Sequence, residues 1–295
     1  MLSNFLLYAG LLPLVASAVM AFVLRRWYCP AHLTWPAAIA GGFVFARFAM
    51  RSQTGVGDAL QSLLQPQEAI DWLPLVVLLA FAVSIVMHLT RPQRRRRVLA
   101  LAAGLSFAVP VRLLSGNVRV THWSMPEKIA YLTLLALILG SLWFVLAADM
   151  DEKETTVRVP LQILIAVGAA ITVTQSGALI YGLTAAAVAA SITGSALALL
   201  LPEDRWGTGA IAMRACRGIT GAAGVITFSL GSLILLGHFY AELSAVNAAL
   251  LCLSLVTTAI PLPAAIRRGS IWRQLAVRSA ACLVPLGIAL VKSSI

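Results

Sequence analysis

Arg47 stands about ten residues into the apolar run 36–52. At 1.5 Å per residue of helix that is about 15 Å of depth. A guanidinium at such depth costs a few kcal/mol or more unless it is paired or hydrated, so an intramembrane arginine is a functional candidate by default. The competing reading is a side chain that stretches outward beside Arg51 to reach the interface. Arg112, two residues after Pro110 near the end of another apolar run, invites the same two readings. Together, Arg47 and Arg112 are groups that would hold an anion. His238 and Glu242 are four apart at the end of a third run and would share a face if its helix continued. A His–carboxylate pair suits proton transfer, because histidine titrates near neutrality. With Glu68 and Gln175 on the same side of the topology derived below, the candidate ligand-binding set is Arg47, Glu68, Arg112, Gln175, His238 and Glu242.

Catalytic signals are weaker. Gly55-Val56-Gly57-Asp58 matches the G-x-G-D string of intramembrane aspartyl proteases, whose two carboxylates must lie close enough to share a proton. Asp58 falls in an outer connection and Asp149 at the inner end of a span, roughly a 30 Å bilayer apart. Ser176 and His238 fall on one side, as a Ser–His dyad requires. However, Thr174-Gln175-Ser176-Gly177 lacks the leading glycine of G-x-S-G. The string H-E-x-x-H, a phosphate loop and a dinucleotide fingerprint are all missing from the sequence. The four cysteines (Cys29, Cys216, Cys252 and Cys282) have no metal-ligand spacing. The expectation is a protein with no catalytic residues, cofactor, metal or disulfide.

The elements that position these residues follow from composition. The chain has 295 residues, 60% of them hydrophobic and 11% charged, against roughly 25% charged in a soluble protein. Its mean hydropathy is +0.91. This excludes a soluble domain, a disordered chain and a secreted disulfide scaffold, and leaves an all-α, polytopic integral membrane helix bundle in contact with the lipid bilayer. The net charge of +11 would suggest nucleic acid in a soluble protein. Here it follows from basic cytoplasmic loops, and no nucleic acid is expected.

The apolar runs give ten spans: 4–24, 36–52, 72–90, 98–115, 129–148, 158–175, 177–201, 216–238, 244–263 and 274–292. With the N-terminus outside, 16 of the 22 basic residues fall on cytoplasmic segments and six on outer ones, as the positive-inside rule requires. Both termini are then outside, and short loops with plain spans suit a bacterial inner membrane. No basic residue precedes the first run and Arg25-Arg26 follow it, the reverse of a signal peptide, so a retained first span is expected. The densest basic cluster, Arg94, Arg95, Arg96 and Arg97, fixes orientation and could also touch anionic lipid head groups. Of the outer charges, the acids Asp58, Glu68, Asp71, Glu127 and Glu242 nearly balance the bases.

Between spans 2 and 3, Val56, Leu60, Leu63 and Leu64 lie on one helical face and Asp58, Gln61, Ser62 and Gln65 on the other. This predicts a short interfacial helix on the outer leaflet. Span 7 carries Gly182, Ala186, Ala190, Gly194 and Ala198, a small residue at every fourth position. Such a stripe lets helix backbones approach closely in lipid. It marks span 7 as central, with Gly218, Ala222 and Gly224 of span 8 as a facing surface, or as the seat of a partner helix. The chain is expected to form one transmembrane domain, 1–295; five-helix halves, 1–150 and 151–295, show no matching motifs.

Pro66-Gln67-Glu68-Ala69-Ile70-Asp71-Trp72-Leu73-Pro74 opens span 3, its acids placed at a helix N-terminus where the dipole favours them. With the run Phe239-Tyr240-Ala241-Glu242-Leu243, it resembles segments of an uncharacterised group of polytopic bacterial membrane proteins. The resemblance covers the third span and the last three and implies no activity. Ten spans in about 300 residues also resemble, in size alone, the drug/metabolite-transporter superfamily. The sequence therefore supports small-solute binding or transport at a site open to the non-cytoplasmic face. The alternatives are a non-catalytic membrane subunit or scaffold, and an enzyme of the membrane surface acting on lipid or peptide.

Overall fold

In a bilayer every backbone polar group must be satisfied within the chain, which leaves helices as the solution for apolar runs of this length. The computed structural model describes residues 7–27, 29–53, 55–89, 95–115, 117–146, 152–200, 208–258 and 270–293, with positions 260, 262, 263 and 266. The described chain is an all-α bundle. A π turn, Leu7–Leu11, leads into α1 (Leu12–Arg26), followed by α2 (Ala31–Arg51) and the short α3 (Val56–Leu64). A 3-10 turn, Ala69–Trp72, opens α4 (Leu73–Leu89). Then come α5 (Arg95–Leu114), the single turn Val118–Thr121, α6 (Met125–Leu146), α7 (Glu152–Gln175) and α8 (Leu179–Leu200). Last are α9 (Thr208–Tyr240), α10 (Ala245–Thr257) and α11 (Ile271–Ser293).

Apart from α3, these helices match the ten sequence-derived spans one to one. Eight are long and apolar enough to cross a membrane, and the apolar stretches Ala102–Leu114 and Ala245–Thr257 are shorter. Large apolar side chains such as Phe22, Phe144, Val284 and Val291 are exposed, as a lipid-facing surface demands. Span 2, read from residue 36, starts at Ala31 and runs 21 residues, so it is full length. Pro110, Pro160 and Pro285 lie inside continuous helices, because neighbouring groups in a bundle re-satisfy the carbonyls that proline frees. The break between α7 and α8 turns on Gly177, whose φ of 96° is a left-handed conformation that only glycine adopts without strain.

Helices from both halves of the chain interleave: α1 packs on α8, and α2 on α8 and α9. The most enclosed helix is α9, with nearly all of Ala222–Tyr240 interior. The small-residue stripe of α8 works differently from the expectation. Gly194 faces Leu14 and Ser17 of α1, and Gly182 faces Thr174 of α7. Gly224 of α9 instead lies against Ser84 of α4 and Trp143 of α6. Close approach therefore occurs, but toward α1 and α7 rather than toward α9. Ala186 and Ala190 line a groove between α7 and α8.

At the end of the bundle opposite α3, three arginines reach across to the last carbonyls of neighbouring helices. Arg25 donates to Ala198 O at 3.1 Å, Arg158 to Leu146 O at 2.6 Å and Arg278 to Thr258 O. A cation at a helix C-terminus meets both an unsatisfied carbonyl and the negative end of the dipole. Of the proposed lipid-binding cluster, Arg94 lies outside the described residues, as do the side chains of Arg95, Arg96 and Arg97.

The glycine geometry gives a direct test. A Cβ at Gly194 would collide with the Leu14 carbonyl and the Ser17 hydroxyl, whereas one at Gly104 would meet nothing within 4 Å. Gly194→Ala is expected to destabilise the protein by about 1–3 kcal/mol through overpacking, with Gly104→Ala neutral. Thermal unfolding of both variants in the same detergent checks this, and equal midpoints would contradict the packing of α1 on α8.

Candidate functional site

Arg47 and Arg51 lie four apart on α2, so both guanidiniums project from one face near its C-terminal end. Arg47 is one turn from that end, shallower than the depth expected from the sequence. It is nonetheless buried, at 5% exposure, and does not extend to the surface; Arg51, at 35%, does. The charge of Arg47 is met by Asp71, itself 4% exposed, at 3.3 Å, and Thr184 of α8 accepts a second, longer hydrogen bond at 3.4 Å. Asp71 is held in the 3-10 turn that opens α4, where the helix N-terminus favours a carboxylate. Its two oxygens also accept from Arg51, at 3.0 and 3.2 Å. Arg51 in turn reaches the exposed Glu68 at 3.4 Å. Four charged side chains from α2 and the start of α4 thus form one network, with its inner half dry and its outer half wet.

The network floors a pocket of about 270 Å³ at the α3 end. Its lining is Arg51, Asp58, Gln61, Ser62, Gln65, Gln67, Glu68 and Asp71. The polar face of α3 therefore turns toward the pocket. Its other face leaves Val56, Leu60 and Leu64 exposed, the amphipathic arrangement of an interfacial helix.

The other candidates are placed as follows. Arg112 is exposed and sits 3.9 Å above the ring of Trp72, a cation–π contact beside Asp71. Gln175 accepts from Ser293 at the junction of α7 and α11 and belongs to no part of the network. The His238–Glu242 face does not form, because α9 ends at Tyr240 and Glu242 adopts a φ of 56°. This left-handed residue closes the helix, with Leu243 N–H donating back to Gly237 O at 2.9 Å. His238 Nδ1 lies 2.7 Å from Leu243 O, and Glu242 is exposed. The Ser176 hydroxyl donates to Val173 O, so Ser176 and His238 are each engaged with a backbone carbonyl rather than with one another. Asp149, the proposed partner of Asp58, lies outside the described residues.

The sequence places Asp71 at a helix start and among the five outer acids that nearly balance the outer bases, but does not single it out as the counter-ion of Arg47. A signal was available: of the outer acids it alone is flanked by Ile70 and Trp72 at the head of an apolar run. Aromatic residues close over the neighbouring ground. Tyr240 donates to Leu113 O, Asn117 to Phe239 O, and Tyr181 and Tyr240 lie 6.4 Å apart. Compared with known protein families, curated proteins and solved structures, the chain matches none.

The network predicts an asymmetry. Asp71→Asn strands Arg47 in the interior, and losing one partner of a buried pair costs about 3–5 kcal/mol. Arg47→Met leaves Asp71 with Arg51 and is expected to cost no more than about 2 kcal/mol. Adding Arg47→Met to Asp71→Asn should recover part of the loss. Unfolding of the three variants checks the order, and a greater loss in Arg47→Met would refute it.

Proposed function

We propose that the protein binds, and moves across the membrane, a small polar solute taken at the α3 end. The observation that carries this reading is the buried Arg47–Asp71 pair at the base of a pocket lined by polar and charged residues. Charges inside membrane bundles mark substrate and ion pathways, and this one is continuous with a solvent-facing cavity through Arg51 and Glu68. Glu68, Arg47 and Asp71 are the binding candidates on this reading. An anion held jointly by Arg47 and Arg112 is not part of it, since Asp71 already pairs with Arg47 and Arg112 is not among the residues lining the pocket. The charge distribution along the chain supports placing the α3 end on the non-cytoplasmic face of a bacterial inner membrane, with both termini there. Kinship with the polytopic bacterial group that residues 66–74 resemble belongs to the same proposal and adds no activity.

A second reading, a scaffold that receives a partner helix, draws on the α7–α8 groove lined by Gly182, Ala186 and Ala190, while Gly194 is taken up by α1. Ala190→Trp would fill that groove. On the solute-binding reading it leaves the pocket untouched.

The test uses protein whose native cysteines are replaced and single cysteines introduced at Ser62, Gln67 and Arg47. In intact expressing cells, a membrane-impermeant maleimide is expected to label positions 62 and 67 fast and position 47 slowly or not at all. Folded protein that labels at 62 and 67 only after the inner face is opened would reverse the orientation. No labelling at 62 in any preparation would remove the pocket, and with it the solute-binding reading.

A further inference from the structure

We infer that the solute of this pocket is an organic cation bearing an alkylammonium or guanidinium group, and that it binds by displacing Arg51 from Asp71 and Glu68. The inference rests on the solute-binding reading and adds the ligand's charge and its mode of entry.

The first argument is the charge facing the cavity. Asp58, Glu68 and Asp71 line it, and Arg51 is the one cation among its lining residues. The guanidinium of Arg47 lies behind Asp71, buried, and is neutralised there. Counted with Arg47, the three carboxylates exceed the two guanidiniums by one, and an anion would therefore enter against a net negative lining. A cation would enter with the field.

The second argument is independent of that balance. Arg51 is itself a guanidinium already seated on these acceptors, within 3.0 Å and 3.2 Å of the two Asp71 oxygens and 3.4 Å of Glu68. It is a tethered stand-in for the ligand and shows that the acceptor spacing accommodates such a group. It is also replaceable. Its side chain is 35% exposed and Glu68 63%, so that outer pair contributes little because water competes for both partners, and Arg51 approaches the buried Asp71 from the solvent side. When a ligand cation takes the outward side of Asp71, Arg51 turns to solvent and Arg47 keeps the inward side. The buried carboxylate never loses its counter-charge during the exchange.

The third argument concerns size. Among the described residues no three of His, Cys, Asp and Glu converge closely enough to hold one metal ion. The carboxylates line a cavity of about 270 Å³ whose remaining lining, besides Arg51, is Gln61, Ser62, Gln65 and Gln67. Amide and hydroxyl groups among carboxylates suit an extended ligand with several N–H donors better than a point charge.

The experiment follows the rate at which N-ethylmaleimide, a neutral reagent, modifies a single cysteine at Ser62 in purified protein. Spermidine and succinate are the probes, at matched ionic strength so that general screening is equal. Spermidine is expected to slow modification several-fold and succinate to leave it unchanged. Arg51→Gln should strengthen spermidine protection by removing the internal competitor. Glu68→Gln and Asp58→Asn should weaken it. Protection by succinate, or labelling unaffected by spermidine, overturns the inference while leaving an accessible pocket. Weaker protection in Arg51→Gln overturns the displacement step. Failure of position 62 to react at all instead overturns the pocket reading on which the inference stands.

Discussion

A guanidinium inside a lipid-embedded bundle sets the terms for everything around it. Arg47 is shielded from water, and its charge must be compensated by groups fixed within hydrogen-bond distance. That requirement ties three stretches of chain together: α2 carries the cation, the 3-10 turn before α4 carries Asp71, and α8 supplies Thr184. Mutual attraction in a low-dielectric interior repays desolvation only when geometry is good and further hydrogen bonds are made. The contacts to Thr184 and Arg51 supply such partners. The buried core around them, with Trp35, Ile39 and Phe43 of α2 beside Leu73 and Val77 of α4, packs the same helices that the ion pair joins. Apolar packing and charge compensation therefore specify one arrangement rather than competing ones.

The far end of the bundle solves the same problem with other acceptors. Arg158 and Arg278 are as buried as Arg47, yet they donate to the terminal carbonyls of α6 and α10. Helix C-termini at that end present unpaired carbonyls and a partial negative charge. Arginine answers both demands, with five donors in a rigid fork. Residues counted in the sequence as topogenic charges thus also cap helices. These basic residues of that end are then part of the packing of the bundle.

The architecture was legible in the sequence because bilayer thickness and hydropathy act on each span separately. Ten apolar runs became ten helices, and the turn at Thr174 to Gly177 fell where glycine allowed it. The amphipathic α3 was legible for the same reason: a 3.6-residue period is a local property. Partners were less so. Arg47 was found by its type and depth, but Asp71 lies 24 positions away and read as an ordinary helix start. His238 and Glu242 failed because helical spacing was extended past a terminus set by Glu242 itself. The α8 stripe was read correctly as a surface of close approach and assigned to the wrong neighbour, since spacing encodes the face and not what lies opposite. Sequence periodicity identifies what a side chain needs. Which distant residue supplies it is a property of the packed bundle.

The short helix α3 joins the site to its surroundings. One face, through Asp58, Gln61 and Ser62, is the wall of a polar cavity. The other presents Val56, Leu60 and Leu64 at 60%, 49% and 80% exposure. No protein group covers those side chains to that extent, and an apolar face of this kind is stabilised by insertion at the level of the head groups. Gly55, with a φ of 142°, precedes the helix, and Gln65 leaves it in a non-helical conformation, so α3 is set at an angle to α2 rather than continuing it. One face of α3 therefore borders the polar cavity, while the other is left for an apolar surrounding. Dry and wet charges instead follow one another along the same two stretches, Arg47 and Arg51 on α2 and Asp71 and Glu68 before α4, so about one turn of chain separates the buried member of each pair from the exposed one.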